Sequence, residues 1–128
     1  MSYHFSTTLS GSFDDAIETV TAALKEKGFG VLTTIDVQKA MKEKIDKDMN
    51  PYTILGACNP GFAYKALQEE NKIGTMLPCN VVVQQLDDGG IEVSAVDPMA
   101  SMQGVGNANL GAIAGDVRTM LQDMINGL

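Results

Sequence analysis

Tryptophan is absent from this 128-residue chain, aromatic residues reach only 5%, and there are two cysteines and a single histidine. Without tryptophan, and with so few rings, the core has to be built mostly from Val, Ile, Leu, Met and Ala. The lone His4 excludes a zinc site made of histidines. Cys58 and Cys79 stand 21 positions apart, so there is neither a Cys-x-x-Cys dithiol nor a zinc knuckle. Cations are also scarce. Nine Lys and Arg face sixteen Asp and Glu, for a net charge of −7. That balance opposes nucleic acid and anionic membranes as partners, since both present negative groups. The one basic cluster, Lys39, Lys42, Lys44 and Lys47, is interleaved with Glu43, Asp46 and Asp48 and reads as a solvated face.

No stretch approaches the ~18 apolar residues of a membrane span. The opening MSYHFSTTLSG has neither the basic start nor the apolar run of a signal peptide. The expected setting is the cytoplasm, where the cysteines remain thiols. A Gly-Lys-Ser/Thr phosphate loop is missing. Gly104-Val105-Gly106 begins like a dinucleotide fingerprint but lacks its third glycine and the surrounding strand–helix–strand unit. It reads as a flexible turn, and no cofactor is expected.

What is present is the balance of an ordinary globular domain, with 45% hydrophobic and 20% charged residues. The length fits one domain over residues 1–128, large enough to bury a core without disulfides. Tyr3 to Leu9 reads as a first strand. Ser12 is a helix cap with Asp15 as its capping-box partner, followed by Phe13, Ile17, Val20 and Leu24 at helical spacing and by Gly28 as a left-handed stop. Val31 to Val37 alternates as a strand, with Val31, Thr33, Ile35 and Val37 on one face. Met41, Ile45 and Met49 then recur every four residues, as in a short exposed helix, with a long bent strand as the competing reading.

Tyr52 to Cys58 is a third strand, in which Gly56 signals a bulge or a close approach. Asn59-Pro60 opens a helix with Phe62, Ala63, Ala66 and Leu67 on its buried face and Gly74 just past its end. Val81–Val83 and Ile91–Val96 flank Asp87-Asp88-Gly89-Gly90, a strong hairpin signal. Leu110, Ile113, Ala114, Val117, Leu121, Met124, Ile125 and Leu128 form the stripe of a final helix. The order predicts an α+β fold with an antiparallel or mixed sheet backed by helices. The apolar material from Leu110 to Leu128 exceeds what a small sheet is expected to cover, which predicts an interface and a homodimer.

Three strings, Leu55-Gly56-Ala57-Cys58-Asn59-Pro60, Leu77-Pro78-Cys79-Asn80-Val81 and Asp97-Pro98-Met99, together resemble the domain of unknown function 302 family. The similarity runs over nearly the whole chain. It implies a TATA-binding-protein-like architecture, an antiparallel sheet backed by helices, and often a homodimer. It implies no established activity and no catalytic residues.

The chemistry-bearing candidates are few. Cys58 ends a strand directly before the Asn59-Pro60 helix start, where free N–H groups and the dipole would stabilise a thiolate and lower its pKa. The plainer reading is a small buried apolar residue. Cys79 is the second ligand or redox candidate, but with no helix start beside it the plainer reading is core packing, and it meets Cys58 only if their strands are neighbours. Asn59 and Met99 complete the candidate ligand or redox set. Met76 and Met102, with the two cysteines, are the candidates for a soft metal such as Cu(I), against the plain reading of methionine as core filler. Three functions follow: a non-catalytic homodimeric binding or interaction domain with a possible small-molecule ligand, a thiol protein handling redox or sulfur species through Cys58, and a soft-metal carrier. The positions of the sulfurs separate them: buried, separated sulfurs support the first, one exposed thiol in a cleft the second, and a cluster the third.

Overall fold

A computed structural model describes residues 2–128. Its elements run β1 (His4–Leu9), α1 (Phe13–Glu26), β2 (Gly30–Asp36), α2 (Val37–Ile45), β3 (Tyr52–Cys58), α3 (Pro60–Glu69), a 3-10 turn at Ile73–Met76, β4 (Cys79–Gln85), β5 (Ile91–Val96), α4 (Pro98–Met102), a second 3-10 turn at Gln103–Val105, and α5 (Leu110–Asn126). The five strands form one antiparallel sheet in the order β1-β5-β4-β3-β2. The fold is α+β, as the sequence predicts.

Local signals explain most of these elements. The Ser12 hydroxyl accepts the Asp15 N–H at 3.1 Å, and Gly28 ends α1 at φ 85°, a backbone angle that a side chain would strain. The hairpin closes with Leu86 N–H donating to the Gly90 carbonyl at 2.8 Å and Asp88 Oδ1 accepting the Gly90 N–H at 2.8 Å.

Alternation along a strand sends side chains to opposite faces. Leu55, Ala57, Val81, Val83, Val93 and Ala95 face the helices and are buried. They meet Val20 and Leu24 of α1 and Val117, Leu121, Met124 and Ile125 of α5 in one core. The opposite face carries rows such as Ile35, Ile54, Val82, Ser94 and Ser6 across all five strands.

Several expectations need correction. In β2 the register shifts between Val31 and Thr33. The inserted Leu32 is 67% exposed, so Val31 pairs with Ala57 on the helix side while Thr33 and Ile35 lie on the other face. Val37 leaves the sheet and begins α2, because Asp36 caps it by accepting the Lys39 N–H at 2.9 Å. The helix reading of Met41 and Ile45 therefore holds, and Met49 lies beyond its end. In α3 only Ala66 is fully buried, and Leu67 is exposed. Gly74 sits inside the 3-10 turn rather than at the helix end. The short α4 has no counterpart in the sequence reading; Asp97 caps it by accepting the Met99 N–H at 3.0 Å.

Nor does α5 carry a surplus apolar face for a dimer. Leu110, Ala114, Val117, Leu121, Met124 and Ile125 are all buried within the one chain.

Candidate functional site

Ala57 and Cys79 are directly paired across β3 and β4. Cys58 is the next residue of β3, so the register answers what the sequence leaves open: the two cysteines come from neighbouring strands at one end of the sheet. There the sheet, α3, α4 and α5 line a partly open cavity of about 30 Å³. Both cysteines, Asn59 and Met102 line it, with Phe29, Phe62, Pro78 and Ala114 among its apolar walls. Each element has a reason to be there. Asn59 caps α3 through its Oδ1, which accepts the Phe62 N–H at 3.4 Å. Asp97 anchors α4 to α5 by accepting from Arg118 Nε at 3.1 Å, and this carboxylate is buried. That pair fixes the start of the short helix on which Met102 is carried.

Both cysteines are free thiols, Cys58 partly exposed and Cys79 buried. Burial pushes the Cys58 thiol above its ordinary value. Burial, followed by the neighbouring Cys58, pushes Cys79 up to about 11. This reverses the expectation that the α3 start would lower the Cys58 pKa. The physical reason lies in the donors. Of the first-turn donors, Pro60 has no N–H and the Phe62 N–H goes to the Asn59 side chain, which leaves only that of Gly61. The turn that should hold a thiolate has largely satisfied itself, and removal from water then decides the direction.

Of the other sequence candidates, Met99 is 43% exposed and lines an adjoining groove with Met102, outside the cavity. Met76 is 40% exposed and lies in the 3-10 turn after α3, away from the cavity lining. The structure thus joins Cys58, Cys79, Asn59 and Met102 and separates Met76 and Met99 from them. The apolar walls were read only as core in the sequence. The Asp97–Arg118 pair was missed, because its partners are 21 residues apart on different helices; Asp before Pro is the one cue to the cap.

Among the lining residues none is a His, Asp, Glu, Lys or Arg. The cavity therefore has thiols and a thioether but no acid or base to transfer protons. Among the described residues, no helix is long and apolar enough to cross a membrane.

Comparison with solved structures agrees over the whole fold. The chain is similar to the crystal structure of an uncharacterized conserved protein DUF302 from Bacillus stearothermophilus, with a TM-score of 0.89 and 30% identity, covering 97% of this chain and 96% of that one. Comparison with curated proteins gives no match. The family described as Domain of unknown function DUF302 matches residues 5–128, which include all three strings quoted above. The chain belongs to the DUF302 family.

Proposed function

We propose that this chain is a non-catalytic, homodimeric binding domain of the cytoplasm, with the two-thiol cavity as its binding centre. One observation carries the reading: a cavity holding two thiols and a thioether, with no acid or base among its lining residues. Thiol catalysis needs a lowered pKa or an adjacent base. Here both thiols are raised, which favours binding over turnover and weakens the alternative of redox or sulfur chemistry at Cys58.

Support for the homodimer comes from a different surface than α5. The helix-free face of the sheet carries Ile35, Ile54, Val82 and Val96, and Ile35 is 48% exposed. Its rows contain Glu92 and His4 but no Lys or Arg. Two chains of net charge −7 meet with least repulsion through such a weakly charged apolar face. The same rows argue against nucleic acid as a partner, as does Lys42, which pairs with Asp46 at 2.9 Å and Asp48 at 3.1 Å. Light scattering at tens of micromolar should give twice the 13.6 kDa chain mass. Ile35→Glu should shift the protein toward monomer while leaving the fold intact by circular dichroism. A wild-type monomer at that concentration would remove the homodimer from this reading.

A further inference from the structure

We infer that the cavity between β3, β4 and α4 is a site for one Cu(I) ion, held by the Cys58 and Cys79 thiolates and the Met102 thioether. The inference rests on the reading of this cavity as the binding centre and names its occupant.

Size is the first argument. A cavity of about 30 Å³ has room for one or two atoms the size of a water oxygen, whereas an engineered cavity that accepts benzene is about 150 Å³. The internal space takes a single ion, whereas an organic ligand would have to extend out through the open side. A water there would want two to four polar partners, and the lining offers few. Asn59 is the one lining side chain with oxygen or nitrogen, its Oδ1 already accepts the Phe62 N–H, and the remaining side-chain heteroatoms are the three sulfurs.

Donor chemistry is the second argument. Thiolate and thioether donors select soft cations, Cu(I) first among the biological ones. Structural zinc takes four ligands drawn from Cys, His and carboxylates. No group of three or more His, Cys, Asp and Glu suited to a metal exists among the described residues. Two cysteines and a methionine satisfy the lower coordination number of a d10 monovalent ion and leave zinc short.

Charge is the third argument. Binding replaces two S–H protons by two Cu–S bonds and releases both protons to solvent. Met102 adds a lone pair, and no electron is transferred, so the metal has to arrive already reduced. The resulting centre carries one negative charge. The ion thus cancels one of the two thiolate charges, which lowers the cost of burying the pair.

The test uses the reduced 128-residue chain under anaerobic conditions, titrated with Cu(I) held as its coloured bicinchoninate complex. One Cu(I) per chain should be withdrawn from the chelator. Because losing even an outer-shell partner weakens metal sites roughly 10- to 100-fold, Cys58→Ser and Cys79→Ala should each weaken binding on the order of 100-fold or more. Met102→Leu should weaken it roughly tenfold, and Met76→Leu and Met99→Leu should match the wild type. Circular dichroism checks that each variant is folded. If Cys79→Ala does not fold, Met102→Leu still decides the question. No withdrawal of Cu(I), or binding that survives Met102→Leu unchanged, would overturn the inference. Cu(I) failure with both thiols still bridged by one mercuric ion, as described below, would sink the copper site while leaving the cavity as the binding centre. Independent thiols in that second titration would sink both.

Discussion

Gly56→Ala should lower stability by about 3 kcal/mol, in the range of overpacked cores, and lower Tm by ~10 °C for a domain of this size. Gly56 lies in the middle of β3, where any ordinary residue could adopt the backbone. The obstacle is space. A Cβ there would fall against Thr33 Oγ1 and 2.8 Å from Pro78 Cγ. Thr33 lies opposite because the β2 bulge restores its register after Leu32. Pro78 is a rigid ring that also lines the cavity. A methyl group at this position therefore pushes both on the bulge and on a cavity wall. Removing one of the two obstacles should return part of the loss, so Thr33→Ala combined with Gly56→Ala should be less destabilised than the single changes predict when added. Urea denaturation of the four proteins measures the coupling. A Gly56→Ala variant with unchanged Tm would show that the strand accommodates a side chain here.

Cys58 should alkylate at least roughly tenfold faster than Cys79 in metal-free protein at pH 8, since the thiolate is the reacting form. A thiol titrating near 11 is ionised to about one part in a thousand at that pH. Cys58 is raised as well, but by less burial, and it is partly exposed. As pH climbs toward 11 the Cys79 thiolate fraction grows and the ratio should shrink to what accessibility alone imposes. The same shift has a consequence for stability. The folded chain keeps the Cys79 proton more tightly than the unfolded chain does. Its contribution is fully present below the ordinary thiol pKa of ~8.5 and is lost as pH rises to about 11, by at most about 3 kcal/mol. Cys79→Ala should flatten that alkaline decline. Iodoacetamide labelling read by mass spectrometry gives both rates in one sample, and equal rates at pH 8 would contradict the burial argument.

Much of the fold was legible because its signals are local. Ser12, Gly28, Asn59-Pro60 and Asp88-Gly89 each set a backbone angle or satisfy a helix terminus within a few residues, and each does so in the structure. The element order follows from them except for the short α4. What the chain did not disclose depends on register. A single inserted residue, Leu32, changes which face Val31 takes, and no pattern within β2 marks it. The burial of the α5 stripe depends on how much sheet and helix it meets, so the sequence overestimated its surplus.

The site was half legible for the same reason. Cys58, Cys79 and Asn59 were picked out by type and position, but their union required the Ala57–Cys79 pairing. Met102 rather than Met99 reached the cavity because Asp97 starts α4 at Pro98, one turn earlier. The direction of the Cys58 shift is not legible locally, because burial outweighs a helix start in which Pro60 lacks an N–H and Asn59 takes that of Phe62.

The central claim is that Cys58 and Cys79 share one binding space. Mercuric ion joins two thiolates when both can reach it, so it reports on this directly. Reduced protein should be given one equivalent of Hg(II) per chain, and its remaining thiols counted with a colorimetric disulfide reagent. Both thiols should vanish together, with the two protected in the same chain and no cross-linked chains by mass spectrometry. Loss of only one thiol per mercury, or mercury bridging cysteines of different chains, would contradict the shared cavity.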